Sequence, residues 1–286
     1  MTTKIFVTVG LSVFDSLELG KGVPTDLVDV DWSTWIGQLT KWSGERTGIP
    51  FGTLKKHLDD DAWALSDSHC ISAERDSLHA YFASSLSGGE GLDSATIVLL
   101  ATDTPEGMAA AFVNAFLLGG PVQLKGGTVD DFKNVEHSQG LRVGALCIEI
   151  YRVPELTPNG EVSRGLTSLA ESIAAFGAQE GLGKAWVCLS GGMKMYIPPL
   201  LTACEYLKAL GYISGAFIKH EAQNDVNNVR LRPVTIPKDL LARLSARNSG
   251  DYELEGFAFE HGSDTEVGAM LRRLLQKGPK HWNPLP

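Results

Sequence analysis

The feature that most constrains the fold of this chain is a repeated unit of an apolar strand, a polar or glycine-rich turn and an apolar helix. The unit is clear twice, as ATIVLLATDTPEG at 95–107 before a predicted helix at 108–118, and as AWVCLSGGMK at 185–194 before a predicted helix at 196–210. Continuous apolar runs of this kind are typical of strands buried on both faces of a sheet. The repetition predicts an α/β fold with a doubly wound, mainly parallel, Rossmann-like sheet.

The other predicted elements continue this alternation along most of the chain. Further strands are predicted at 4–9, 122–124, 141–151, 215–219 and 228–236. Further helices are predicted at 32–42, 72–86 and 163–180. Ser72 is a suitable N-cap for the second of these helices.

The length of the chain bounds its domain organisation. The 286 residues suffice for one large domain or two small ones. We assign 1–236 to the Rossmann-like domain, in which 17–91 forms an atypical helical insertion after the first strand, and 237–286 to a small C-terminal α(+β) appendage. The appendage is too short for a robust core of its own, so we expect it to pack on the main domain or on a partner.

Net charge and hydropathy argue against two classes of binding partner, long nucleic acids and membranes. The formal net charge of -9 opposes broad, nonspecific binding to nucleic acid, which depends on neutralising phosphates, so no long nucleic acid is expected as a ligand. No apolar run reaches the roughly 20 residues that span a bilayer, and the apolar start of the chain resembles a strand more than a signal peptide. We therefore expect no membrane partner.

The sequence lacks the motifs of several common enzyme classes. The sequence has no GxxxxGK[ST] loop and no GxGxxG after the first strand, which disfavours an ordinary NTPase or dinucleotide enzyme. The four cysteines, Cys70, Cys147, Cys188 and Cys204, are widely spaced and form no CxxC pair. We expect no metal and no cofactor, and a reducing cytoplasm is the simplest compartment.

Three turns carry the candidate functional residues. They follow three apolar strands and lie at 10–12, 102–107 and 190–194. In a doubly wound sheet, ligands bind beyond the carboxyl ends of the strands, where these turns fall. A glycine-rich turn that opens a helix presents backbone N–H groups to an anion, and Lys194 adds a positive charge that can balance a phosphate.

Each of these residues also has a simpler structural explanation, which the sequence leaves open. Paired glycines between a strand and a helix often serve tight packing. Ser12, Asp103 and Thr104 are residue types that favour turns and helix starts.

Four short motifs in a fixed order resemble those of the CARF (CRISPR-associated Rossmann fold) family, and most closely its standalone ring nucleases. The motifs are VTVGLS with Ser12, ATDTPEG, LSGGMK with Lys194, and FIKHE followed by NVRLRPVTI. The resemblance covers roughly 1–16 and 92–236. The sequence departs from the family in Leu11, which replaces a small hydroxyl residue, in Met193, which replaces an aromatic residue, and in the length of 17–91.

This resemblance implies a homodimer that binds a cyclic oligoadenylate, the second messenger of type III CRISPR defence, and cleaves it without metal. Tetra- and hexa-adenylate rings both share the two-fold symmetry of such a dimer, so the ring size stays open. The alternative implied by the same family is a noncatalytic sensor that signals to a partner through the C-terminal appendage.

The resemblance also assigns roles to individual residues. Lys194 and Ser12 are the expected catalytic residues. Lys194 would stabilise the developing charge or the leaving oxygen, and Ser12 would orient the scissile phosphate or the 2′-hydroxyl. The expected ligand-binding residues are Gly10, Leu11, Thr102, Asp103, Thr104, Ser190, Gly191, Gly192 and Met193.

Overall fold

A computed structural model gives the fold as a seven-stranded sheet with the strand order β3-β4-β2-β1-β5-β6-β7. The structure describes residues 3–19, 31–45, 72–119, 142–143, 146–153, 155–177, 185–192, 194–220 and 224–234. The strands are β1 Lys4–Thr8, β2 Thr96–Ala101, β3 Arg142–Val143, β4 Leu146–Arg152, β5 Ala185–Cys188, β6 Gly215–Ile218 and β7 Asn227–Val229. The predicted strand at 122–124 and the appendage at 237–286 lie outside the described residues.

The centre of the sheet is parallel and its two edges are antiparallel. Strands β4, β2, β1, β5 and β6 pair in parallel, whereas β3 pairs antiparallel with β4 and β7 pairs antiparallel with β6. The predicted α/β class with a mainly parallel sheet is confirmed at this level. Because β1 lies between β2 and β5, the turns that follow these three strands are neighbours at one edge.

Helices cover both faces of the sheet. They are α1 Ser12–Glu18, α2 Trp32–Glu45, α3 Ala73–Ala83, α4 Pro105–Gly119, α5 Val162–Gly177 and α6 Ile197–Ala209. Alternate residues of a strand face opposite sides, and here Ile5 and Val7 of β1 pack into a core with α1 to α4, whereas Phe6 packs with α5 and α6. The connection from β1 to β2 therefore contributes helices to one face.

The predicted N-cap of α3 is confirmed. The Ser72 hydroxyl accepts a hydrogen bond from the Arg75 backbone N–H at 2.9 Å. The helix ends at Ala83, a few residues before the predicted end at 86. The cap fixes where the first turn of α3 begins, and that turn carries Glu74 to the edge of the sheet described below.

The prediction of one continuous strand at 141–151 is wrong. The segment contains two strands that form a hairpin, in which Arg142 pairs with Cys147 and Val143 pairs with Leu146. An unbroken β-rich sequence does not reveal such a reversal, since both arms have strand character. The reversal gives the sheet its antiparallel β3 edge.

Cys188 and Cys204 behave as small hydrophobic residues. Cys188 and Cys204 are buried and free. Burial raises the pKa of the Cys188 thiol to about 11, although hydrogen bonds from Ser190 oppose that rise. Neither thiol has the exposure or the lowered pKa of a reactive cysteine.

Candidate functional site

The turns after β1 and β5 are in direct contact at the carboxyl edge of the sheet. The buried Thr8 hydroxyl donates a hydrogen bond to the Gly191 carbonyl at 2.8 Å. A side-chain Cβ built on Gly10 would lie 3.1 Å from the Gly192 backbone nitrogen. Gly192 has a φ of +87°, a backbone conformation that L side chains rarely adopt. Glycine is needed here for close approach of two loops and for one left-handed residue.

A small cavity joins the turns after β1, β2 and β5. Thr8, Thr102, Gly191, Gly192 and Tyr196 are among its lining residues. Its volume is about 10 Å³, roughly the space of one water molecule. This cavity is too small to hold a nucleotide.

The two residues expected to be catalytic lie on the exposed side of these turns. Ser12 is the first residue of α1 and is exposed, and the preceding Leu11 is 45% exposed. Lys194 is also exposed and begins a short 3₁₀ turn, Lys194–Tyr196, that leads into α6. The lysine therefore precedes α6, in agreement with the predicted start of that helix at 196. Met193 lies outside the described residues.

Thr102 and Thr104 are occupied in organising the turn after β2. Their hydroxyl oxygens lie 3.0 Å apart, and Thr102 is buried. The Thr104 hydroxyl accepts the Gly107 backbone N–H at 3.0 Å, which is the geometry of an N-cap for α4. The helix-cap explanation for Thr104 therefore holds in this structure.

Asp103 holds the loop that follows β4. One carboxylate oxygen pairs with the Arg152 guanidinium, and the other accepts the Glu155 backbone N–H at 3.1 Å. Glu155 has a φ of 63°, an uncommon value for a residue other than glycine. The carboxylate of Asp103 is thus committed to a contact within the protein.

Ser190 ties the turn after β5 to the end of β6. Its hydroxyl accepts the Lys219 backbone N–H at 2.8 Å. The Lys219 ammonium pairs with the Asp76 carboxylate on α3, and the lysine side chain is only 7% exposed. The ion pair of Lys219 with Asp76 holds α3 against the carboxyl ends of β5 and β6.

Glu74 is a residue of this edge that the sequence reasoning missed. Its side chain is fully buried, and its Oε1 accepts the Gly10 backbone N–H at 2.7 Å. Its Oε2 has no hydrogen-bond partner among the described residues. Burial raises the pKa of this carboxyl, and the backbone N–H groups of Gly10, Glu74 and Gly192 oppose that rise. An acidic residue in the first turn of a helix is so common that it gave no separate signal.

The arrangement combines backbone loops with few charged side chains. The charges of Asp103 and Lys219 are neutralised by Arg152 and Asp76, whereas Lys194 stands exposed beside the glycine turn. Within the described part of the chain, no group of three or more His, Cys, Asp or Glu side chains is placed to hold a metal ion. None of the helices described is long and apolar enough to cross a membrane. The exposed Lys194 ammonium and Ser12 hydroxyl are groups at this edge that an anion can reach.

Fold and site together define an α/β protein with a mostly parallel sheet and a candidate ligand site beyond its carboxyl edge. No protein-family model matches the chain, and no curated protein matches it significantly.

Proposed function

We propose that this protein is a CARF-type ring nuclease that binds a cyclic oligoadenylate and cleaves it. The observation that carries the proposal is the direct contact between the turns after β1 and β5, each of which bears one of the exposed residues Ser12 and Lys194. The order of the four sequence motifs is the independent support.

The chemistry requires positioning more than a strong base. A ribose 2′-oxygen attacks the adjacent phosphorus while the bond from phosphorus to the 5′-oxygen breaks. The products are a 2′,3′-cyclic phosphate and a 5′-hydroxyl, which takes up the proton released by the 2′-hydroxyl. Lys194 offsets the charge that develops on the phosphoryl and leaving oxygens, and Ser12 orients the phosphate or the 2′-hydroxyl. This reaction needs no metal and no cofactor.

A homodimer is the assembly that suits such a ligand. A cyclic tetra- or hexa-adenylate has two-fold symmetry, so two copies of one edge can present equal contacts to it. Two copies of Lys194 would raise the positive potential at the ring, although the chain carries a net charge of -9. The protein would then act in the cytoplasm, where type III CRISPR signalling takes place.

The decisive experiment incubates the purified protein with cyclic tetra-adenylate and with cyclic hexa-adenylate in EDTA, with mass spectrometry of the products. We expect linear products that end in a 2′,3′-cyclic phosphate from one of the two rings. Tight binding without cleavage would identify a sensor instead. Neither binding nor cleavage of either ring would reject the proposal.

A further inference from the structure

Glu74 is fully buried, and its carboxyl group lies directly beneath the turns after β1 and β5. Its Oε1 takes the Gly10 N–H, and a Cβ built on Gly191 would lie 2.3 Å from that oxygen and 2.5 Å from the Thr8 carbonyl. The carboxylate therefore fills the space under Gly191, between α3 and the ends of β1 and β5. A side chain at position 191 would displace it.

The backbone donor that Glu74 occupies is one that a glycine loop would otherwise offer to a bound anion. The Gly10 N–H points inward to a group of the protein itself. Ser12 and Lys194, by contrast, are on the outer side of the same two loops. The Glu74 carboxyl group therefore takes the backbone N–H that would otherwise be available to a bound anion.

We propose that Glu74 is a positioning residue, which holds the turns after β1 and β5 in place before any ligand arrives and leaves anion recognition to Ser12 and Lys194. The effect on ligand affinity rests on the function proposed above, whereas the effect on the loops does not. A loop that is already ordered loses less conformational freedom on binding, which increases affinity.

The amide and alanine variants separate this role from a general contribution to packing. In Glu74→Gln, the side-chain oxygen can still accept the Gly10 N–H in a side chain of the same shape. In Glu74→Ala, the acceptor is lost. Glu205→Ala is the matched control, because Glu205 is also a buried glutamate, whose carboxylate pairs with Arg232.

The first measurement is the hydrogen-exchange rate of the Gly10 amide, read by NMR without ligand. We expect Glu74→Ala to raise the rate about tenfold or more and Glu74→Gln to stay within about threefold of wild type, because only the alanine removes the acceptor. The control Glu205→Ala should leave the rate unchanged. Equal rates in Glu74→Ala and wild type, or equally fast exchange in both Glu74 variants, would overturn the proposal.

The second measurement is the affinity for cyclic tetra-adenylate and cyclic hexa-adenylate. We expect about tenfold weaker binding in Glu74→Ala and wild-type or tighter binding in Glu74→Gln, which removes an acidic group beneath an anion. Faster Gly10 exchange with undiminished affinity in Glu74→Ala would overturn the link from loop to ligand. If wild type binds neither ring, the proposed function fails, and the exchange rates alone decide the role of Glu74.

A second variant covers the case in which Glu74→Ala does not fold. Glu74→Asp keeps the carboxylate but shortens the side chain by one methylene group, which withdraws the acceptor, so the Gly10 amide should again exchange faster than in wild type. Unchanged exchange in Glu74→Asp would show that the contact does not depend on the reach of the Glu74 side chain and would overturn the proposal.

Discussion

The Thr8 hydroxyl donates to the Gly191 carbonyl across 2.8 Å and so connects the last residue of β1 to the loop after β5. Both groups are buried. This hydrogen bond joins two of the three turns on which the candidate site is built.

Loss of this hydrogen bond should destabilise the protein. Thr8→Val keeps the shape of the side chain but leaves the buried carbonyl without its donor, which costs about 1–3 kcal/mol of unfolding free energy. Urea denaturation measures the change. Thr202→Val is the control, because Thr202 is only partly buried on α6 and its replacement should change stability by less than about 0.5 kcal/mol. Equal stability of Thr8→Val and wild type would contradict the hydrogen bond.

The raised pKa of Glu74 predicts a particular dependence of stability on pH. Because the folded pKa lies above the ordinary value of 4.5, the folded protein binds more protons than the unfolded chain above about that pH. Stability due to this group is complete below the unfolded pKa and is lost as the pH rises through the folded pKa. The free energy of unfolding of wild type, relative to that of Glu74→Gln, should therefore decrease as the pH rises, by up to about 1.4 kcal/mol per pH unit.

Urea denaturation of both proteins at about pH 5 and about pH 8 tests this dependence. The histidines and the other titrating groups are present in both proteins and cancel in the difference. Parallel stability profiles for wild type and Glu74→Gln would show that the pKa of the carboxyl is not raised.

Substitution of the two exposed residues should separate cleavage from binding. Lys194→Ala should abolish cleavage of the cyclic oligoadenylate and weaken its binding, because the charge acts on both the bound phosphate and the transition state. Ser12→Ala should lower the cleavage rate more than the affinity. Single-turnover kinetics and equilibrium binding provide the two readouts.

Lys208→Ala is the matched control for the loss of one positive charge. Lys208 is exposed in the last turn of α6, and its replacement should leave both rate and affinity near wild type. Cleavage at the wild-type rate by Lys194→Ala would refute the role of the turn after β5.

The left-handed backbone of Glu155 predicts a stabilising substitution. Glycine adopts a φ near 63° without strain, so Glu155→Gly should raise the free energy of unfolding by up to about 1 kcal/mol. Glu106→Gly is the comparison, because Glu106 lies in the first turn of α4, where glycine should instead cost up to about 1 kcal/mol. Thermal or urea denaturation distinguishes the two signs. A loss of stability in Glu155→Gly would exclude strain at this residue.

Local sequence was enough to predict the strands that form the centre of the sheet and the turns that follow them. The apolar runs before Gly10, Thr102 and Ser190 each become a buried parallel strand. Local sequence did not predict the hairpin of β3 and β4, because a chain reversal between two β-rich segments depends on which strands pair with each other. The 3₁₀ turn at Lys194–Tyr196 was not predicted either, since it has no separate sequence pattern, although the predicted start of α6 at 196 is one residue from the observed Ile197.

Local sequence likewise predicted the roles of some turn residues but not of others. Ser72 and Thr104 bear the cap signals that local sequence can show, and both cap helices. Asp103 gave no indication of its partners, because Arg152 and Glu155 are about 50 residues away along the chain.

By itself, the sequence determined the α/β class, the turns that follow the central strands and the residues that these turns carry, because periodicity and turn chemistry are local properties of the chain. Only the tertiary structure decided that Thr8 meets Gly191, that Asp76 meets Lys219 and that Glu74 lies beneath Gly10. These contacts join residues that are 64 to 183 positions apart. Burial and hydrogen bonding between such distant segments arise from the packing of α3 across the sheet, which no local pattern encodes.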